Sequence, residues 1–252
     1  MPSRRTPNST PSVIRSLTAA REAWKRFPAD RLISAEQFAQ LDETQPAGLL
    51  NRLLKEASDV DKALAAQAPL TSAQSQAIAR LALFVSHFHQ VYDLGVERGD
   101  FTAGARAYYG RDVNATTIPD LSTLDAVIAA AEAIVKGEAD RQTAEAAAHK
   151  PMAMPSAAAE AAVLTDARQK RAAAETAKLG TDTEQGELAA LYPEAQRLAT
   201  SILNHIDFHL SERPDLDAPG RRRIARAWGM VYVNDDGTLN TDEPTPAPAP
   251  TA

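Results

Sequence analysis

The sequence predicts a mainly α fold, an antiparallel bundle of long helices with a small C-terminal β-hairpin and disordered termini. Three observations predict it. Alanine, the strongest helix former, supplies much of the 44% of residues that are hydrophobic, whereas only 5% are aromatic. Patterns that start helices recur along the chain. Apolar residues alternate with the spacing of a strand only near the end, in "WGMVYVNDDGTL".

The helices follow from these start and stop patterns. "SAEQ", "TSAQ" and "STLD" each place a hydroxyl side chain three residues before a polar or acidic one, which is typical of a helix N-terminus. Pro11 suits the first turn of a helix, and Pro28 ends one, since proline cannot continue the hydrogen-bonding pattern. The predicted helices cover about 10–27, 34–43, 47–67, 71–99, 122–147, 156–180, 182–211 and 219–228.

Other segments break the helical pattern. "YYGRDVNATTIPDL", residues 108–121, predicts a long irregular connection pinned by its tyrosines and Ile118. Asp236 with Gly237 predicts the turn of the C-terminal hairpin. Residues 1–9 and the Pro/Ala-rich residues 241–252 are predicted to be disordered tails. The expected organisation is one bundle over 10–217, with a short helix and hairpin over 218–240 packed on it.

Charge and cysteine content limit the function. The formal net charge is −6 at a sequence pI near 5.4, which argues against a general nucleic-acid binder, because phosphate contacts need clustered basic residues. The chain has no cysteine, so disulfides, thiolate metal sites and a cysteine nucleophile are excluded. With no apolar run of signal-peptide or membrane-spanning length, the expectation is a soluble, cytoplasmic protein without a membrane partner.

Four residues form a candidate metal site. On the later helix, His209 lies within the apolar stripe and His205 at its edge, whereas Asp207 points to nearly the opposite side. On the earlier helix, His89 lies on the apolar stripe and Asp93 at its margin. If the two helices pack side by side, these two pairs converge.

The chemistry of that set leaves two interpretations open. Imidazole nitrogen and carboxylate oxygen suit a zinc or iron ion. The chain, however, contains "HIDFH" rather than H-E-x-x-H, and it lacks the Glu-x-x-His pattern of di-iron bundles. The alternative is that these histidines are ordinary bundle residues that hydrogen-bond a neighbour, with no cofactor bound.

"RRRIARAW", residues 221–228, is the strongly basic run. On a helix, Arg222, Arg223 and Arg226 lie away from the face that holds Ile224 and Trp228. One interpretation is a contact for an anion or a nucleic acid. The other is a solvated helix that docks through Trp228 and pairs its arginines with surface acids.

No recognised catalytic motif is present. G-x-G-x-x-G, G-x-x-x-x-G-K-[ST] and G-x-S-x-G do not occur in the sequence. The residues therefore give no argument for catalysis, and no catalytic residue is predicted.

Two segments carry a resemblance. "LFVSHFHQVYDLGVERGDFTAGARAYYGRDVNATTIPDL" and "LYPEAQRLATSILNHIDFHLSERPDLDAPGRRRIARAWGMVYV" resemble segments of uncharacterised bacterial proteins. In those proteins a helical body ends in an Arg-Arg-containing helix and a "WG-x-VY" strand. The resemblance implies a recurring helical fold and no activity.

The function expected from the sequence is that of a non-enzymatic helical-bundle protein that acts through its surface, by binding a protein partner or by self-association. The alanine-rich segment 157–180 favours close helix contacts within the bundle or between subunits. The alternatives are a metal-binding bundle, which includes a metalloenzyme, and an anion contact through the arginine-rich helix.

Overall fold

The computed structural model of the protein describes residues 2–42 and 48–241. The predicted C-terminal tail, apart from Thr241, lies outside the described residues, as do the predicted end of the second helix near Glu43 and the start of the third near Ala47. In chain order the elements are β1 (Ser3–Arg5), α1 (Thr10–Arg26), α2 (Ala35–Asp42), α3 (Leu49–Glu97), a 3-10 helix (Ala103–Tyr109), α4 (Leu124–Glu145), a short 3-10 turn (Ala146–Ala148), α5 (Ala157–Ser211), α6 (Ala218–Ala227) and β2 (Val231–Val233). The predicted mainly α fold with a small antiparallel β element is confirmed.

Several helices begin where the sequence predicts. At α2, the Ser34 Oγ accepts a hydrogen bond from the Gln37 backbone N at 3.1 Å, and the Ser34 N donates to Gln37 Oε1 at 3.0 Å. This is the reciprocal capping box that "SAEQ" predicts. At α4 the capping residue is Thr123, one position after Ser122 of "STLD", and its Oγ1 accepts from the Ala126 N at 3.2 Å. These side chains satisfy backbone donors that the first helical turn cannot pair by itself.

Helix α3 is longer than predicted. The sequence predicts two helices separated near Pro69, whereas α3 runs without a break over 49 residues. Thr71, expected to cap the second helix, instead donates its Oγ1 hydrogen to the carbonyl of Gln67 at 3.2 Å. That bond runs back into the preceding turn, so the hydroxyl supports a continuous helix and caps no new one. The local cost of one proline is about 3 kcal/mol, which packing of both flanking segments outweighs.

Helix α5 is also continuous. The predicted break at "LGTDTEQG" and new start at Asp182 are wrong, because α5 runs over 55 residues with Pro193 inside it. Thr181 lies in the middle of the proposed break. It is 3% exposed, and its Oγ1 donates to the carbonyl of Ala177 at 3.2 Å. The hydroxyl is thus satisfied within the helix, and the burial of Thr181 favours continuation of the helix at this point.

The β element pairs the two ends of the described chain. Ser3 lies opposite Val233 and Arg5 opposite Val231 in antiparallel register, so the expected disorder of residues 1–9 is wrong for Ser3–Arg5. The predicted turn is present, with Gly237 at φ +80°, a conformation that favours glycine. Within the described residues, the segment after this turn pairs with β2 only through a single antiparallel bridge between Leu239 and Val233. Leu239 is the one apolar residue of that segment, so little packing favours a longer strand.

The single bundle predicted over residues 10–217 is divided into two compact units. The first comprises residues up to Lys62 and from Asp182 onward, and the second comprises Ala63–Thr181. Each unit has its own apolar core. The division follows from the lengths of α3 and α5, since each is long enough to contribute separate stretches to two cores.

The first unit is built around two tryptophans. Trp228, predicted to dock on the bundle, is 1% exposed, and Trp24 is also buried. Gly229 follows with φ +94°, and a side chain there would approach the Ser16 carbonyl to within 2.6 Å. Glycine at this position lets the segment between α6 and β2 lie directly on α1.

The second unit contains the irregular connection. Tyr109 is buried in its core, as predicted for the tyrosines of this segment, but Tyr108 and Ile118 are exposed. Arg111, which is 7% exposed, fixes the connection instead by donating to the carbonyls of Ala115 and Thr117. No helix in the described part of the chain has both the length and the apolar character needed to cross a bilayer.

Candidate functional site

The histidine pair of α5 places two potential ligand atoms side by side in the first unit. His205 and His209 are one helical turn apart, so their rings lie on the same side of the helix. The two Nε2 atoms are 2.8 Å apart, and the ring centroids are 4.6 Å apart with an interplanar angle of 27°. His205 is half-buried and His209 is exposed. The spacing of "HIDFH" therefore brings both nitrogens to one point on the surface.

Protonation of this pair is restricted by its geometry. At an Nε2–Nε2 distance of 2.8 Å, one ring donates a hydrogen bond and the other accepts it. Only one of the two Nε2 atoms therefore carries a hydrogen. Partial burial and the neighbouring His209 ring lower the pKa of His205 below its usual value. His205 is therefore neutral at pH 7, and neutral imidazole is the form that binds metals.

Phe208 extends the histidine pair into a larger surface. It is 60% exposed, and its ring centroid lies 6.0 Å from that of His209 in an edge-to-face arrangement. We call His205, Phe208 and His209 the aromatic patch. The exposure of Phe208 could not be predicted from the sequence, because large aromatic residues are more often buried.

Asp207 lies away from the patch, as the helical periodicity predicts. Its Oδ2 accepts a hydrogen bond from Arg4 Nη1 at 2.6 Å, and its Oδ1 lies 3.5 Å from the Tyr232 hydroxyl. Arg4 belongs to β1 and Tyr232 to β2. Asp207 thus ties α5 to the β element.

The other two predicted ligands lie in the second unit. His89 is 1% exposed, and burial, followed by the charge of Arg111, lowers its pKa to about 4. Within residues 2–42 and 48–241, its Nε2 has no hydrogen-bond partner. The expected position of His89 on the apolar stripe is therefore correct, and its ring is buried in the neutral form.

Asp93 is engaged by two arginines. Its carboxylate accepts from Arg106 Nε at 2.9 Å and from Arg111 through two bonds of 3.0 and 2.9 Å. Burial alone would raise the pKa of Asp93, but the hydrogen bonds and charges of Arg111 and Arg106 outweigh it and hold the pKa below its usual value. The irregular connection and the preceding 3-10 helix supply both arginines.

The predicted four-residue metal site divides between the units. His205 and His209 belong to the first unit, and His89 and Asp93 to the second. The structure brings together the pair on α5, whereas the carboxylate of Asp93 is bonded to arginines. The site with all four ligands stays a prediction.

The arginine-rich helix is α6. Arg226 donates from Nη2 to Asn240 Oδ1 at 2.6 Å and from Nη1 to the Thr241 carbonyl at 2.8 Å, which fixes the chain after β2. Arg222 is half-buried, and Arg223 is exposed. Arg226 therefore has a structural role, and an anion contact through Arg222, Arg223 and Arg226 stays a prediction.

An acidic cluster in the first unit has no counterpart in the sequence analysis. Among the described residues, Glu56, Asp59 and Glu184 form the one group of three His, Asp or Glu side chains whose potential ligand atoms lie within 4.8 Å of one another. Lys55 already bridges two of its members, at 2.9 Å from Glu56 and 3.0 Å from Asp59. Glu184 comes from a distant part of the chain, so local spacing could not predict the cluster.

A buried polar network in the second unit was also missed. Arg141 is 2% exposed, and its Nη2 donates to the Glu138 carboxylate at 3.2 Å and to the Lys150 carbonyl at 2.7 Å. The Tyr109 hydroxyl donates to the same carboxylate, and His149 Nε2 lies 3.3 Å from it. These contacts join α4 to the segments on either side of it.

Glu160 is a buried carboxyl group without a partner. It lies in the first turn of α5 with 0% exposure, and within the described chain neither of its carboxylate oxygens has a hydrogen-bond partner. Burial raises its pKa to about 7. A sequence signal existed, because Val163, Leu164 and Ala167 follow at helical spacing and are buried in the same core.

Comparisons of the chain with protein-family models, curated proteins and solved structures give no significant match. The resemblance to uncharacterised bacterial proteins therefore stays a prediction.

Proposed function

We propose that this protein is a non-enzymatic interaction module that associates with a second copy of itself through the aromatic patch. The observation that supports this is the exposure of Phe208. It is 60% exposed, whereas the other five phenylalanines are buried or half-buried. Complete burial of such a side chain contributes about 1.5–3 kcal/mol, so an aromatic residue left on the surface favours an interface.

A second copy suits this surface for two reasons. The patch consists of one phenyl ring and two imidazoles, so with neutral imidazoles two copies can face each other without bringing like charges together. With the two Nε2 atoms bonded to each other, the neutral pair has one Nδ1 donor and one Nδ1 acceptor left, so the surface is complementary to itself. Symmetric dimers with the same patch on both subunits are the commonest soluble oligomers.

Replacing Phe208 with serine is expected to abolish self-association. Light scattering after gel filtration, over a range of concentrations, should give a dimer for the native chain and a monomer for Phe208→Ser. The matched control is Leu83→Ser, which removes an apolar side chain that is 66% exposed on α3. A native chain that stays monomeric at every concentration, or a Phe208→Ser variant that still dimerises, would contradict the proposal.

A further inference from the structure

The two imidazoles of the aromatic patch converge on a single point. His205 Nε2 and His209 Nε2 are 2.8 Å apart on one face of α5, and no large movement of the backbone is needed to direct both lone pairs to one atom. We propose that this pair is a bidentate chelate for a divalent transition-metal ion, with Zn²⁺ as the reference ion.

The distances fit such an ion after a small rotation of the rings. Zinc binds imidazole nitrogen at about 2.0–2.1 Å, so two nitrogens at a tetrahedral angle lie roughly 3.4 Å apart. The observed 2.8 Å must therefore open by about 0.6 Å, which the side-chain torsions of an exposed histidine allow. Water can fill the two remaining coordination positions, because His209 is exposed.

The protons balance without a further reactant. In the metal-free pair one ring holds a hydrogen on Nε2 and donates it to the other ring. Coordination needs the lone pair of both Nε2 atoms, so that hydrogen moves through water to the Nδ1 atom of its own ring. Both imidazoles remain neutral, and the complex has the charge of the ion. Its position near the C-terminal end of α5 also favours a cation, because the helix dipole is negative there.

The donor type selects the class of ion. Imidazole prefers zinc, copper and nickel, whereas magnesium and calcium prefer oxygen donors. The acidic cluster of Glu56, Asp59 and Glu184 offers oxygen atoms and belongs to the same unit, so it is the competing site that an experiment must separate from the histidine pair. The chelate does not depend on the proposed dimer, since both ligands come from one chain.

The test is a Zn²⁺ titration of the full-length chain without a histidine tag, at pH 7.5, in competition with a coloured chelator. The native chain is expected to bind one ion that excess Mg²⁺ does not displace. His209→Ala is expected to weaken the affinity by about tenfold or more, since losing even an outer partner of a ligand typically costs 10–100-fold. His87→Ala, which removes an exposed histidine of α3, is the matched control and should leave the affinity unchanged.

Three outcomes would overturn the inference. The first is a dissociation constant for the native chain weaker than about 0.1 mM. The second is equal binding by His209→Ala and the native chain, with circular dichroism showing that the variant is folded. The third is that Glu184→Gln loses Zn²⁺ binding whereas His209→Ala binds Zn²⁺ as tightly as the native chain does. Phe208→Ser should be monomeric and should retain the native affinity for Zn²⁺. A native chain that is itself monomeric but still binds Zn²⁺ would contradict the dimer and support the chelate.

Discussion

Replacing Arg141 with methionine is expected to destabilise the protein by about 3–5 kcal/mol, because it leaves a largely buried carboxylate without its arginine. The Arg141 guanidinium is 2% exposed, and the Glu138 side chain is 12% exposed. Methionine fills part of the space between the aromatic rings of Tyr92 and Phe101, which lie 6.0 and 5.5 Å from the guanidinium carbon. It cannot donate to Glu138 or to the Lys150 carbonyl.

The measurement is urea unfolding followed by far-ultraviolet circular dichroism at pH 7.5. Tryptophan fluorescence is recorded in parallel and reports the first unit, because Trp24 and Trp228 both lie there. The matched control is Lys136→Met on the same helix. That lysine is 80% exposed and pairs with Asp140 at 2.6 Å, so its loss should cost about 0.5 kcal/mol or less. A loss for Arg141→Met as small as that of the control would show that the network contributes little.

Replacing Glu160 with glutamine is expected to stabilise the protein by about 2–3 kcal/mol above pH 7 and to change stability little near pH 4. Burial raises the pKa of Glu160 from 4.5 to about 7, so the folded state holds the proton over a range in which the unfolded state releases it. The native chain therefore loses stability as pH rises from about 4.5 to 7. Glutamine has the shape of the protonated form and no charge to desolvate, so the loss disappears.

His89 changes the pH dependence of stability in the opposite direction to Glu160, over nearly the same pH range. Its pKa falls from 6.5 to about 4 in the folded state, so the unfolded state takes up the proton first and stability is lost as pH falls from 6.5 to 4. In the native chain the two slopes oppose each other. Removing Glu160 leaves the slope from His89 alone, and the stability of Glu160→Gln should rise with pH across this interval.

Urea unfolding at intervals between pH 4 and pH 8 tests both statements. The control is Glu187→Gln, an exposed position on the same helix, which should stay within about 0.5 kcal/mol of the native chain at every pH. If the free energy of unfolding varies with pH in the same way for Glu160→Gln and the native chain, burial does not raise the pKa of Glu160, and the prediction is wrong.

Local chemistry explains what the sequence could predict. The starts of α2 and α4 depend on a hydroxyl and a donor three residues away, and both partners are visible in the sequence. The convergence of His205 and His209 follows from helical spacing alone, and the burial of His89 follows from its apolar neighbours. Each of these features is determined by residues that lie within one or two helical turns of one another in the sequence.

Features that depend on distant parts of the chain could not be predicted in this way. No local pattern states that β2 pairs with Ser3–Arg5, some 230 residues earlier, and no pattern near Asp93 indicates that Arg106 and Arg111 bind its carboxylate. The continuity of α3 through Pro69 also depends on distant residues. The cost of proline in a helix is local, whereas the packing that outweighs it involves other parts of the chain. The exposure of Phe208 was not predicted, because exposure depends on what the rest of the chain leaves uncovered.

The division of the chain has a consequence for the order in which it folds during synthesis. The second unit is one uninterrupted segment, Ala63–Thr181, inserted between the two parts of the first. It can complete its core on the ribosome while α6 and the part of α5 that belongs to the first unit are still untranslated, since domains generally fold as units as they emerge. Stalled chains that are long enough for all of Ala63–Thr181 to have left the ribosome should resist protease within 63–181 and remain sensitive before residue 62. Strand β1 is thus made before the whole second unit, and its partner β2 is made after it.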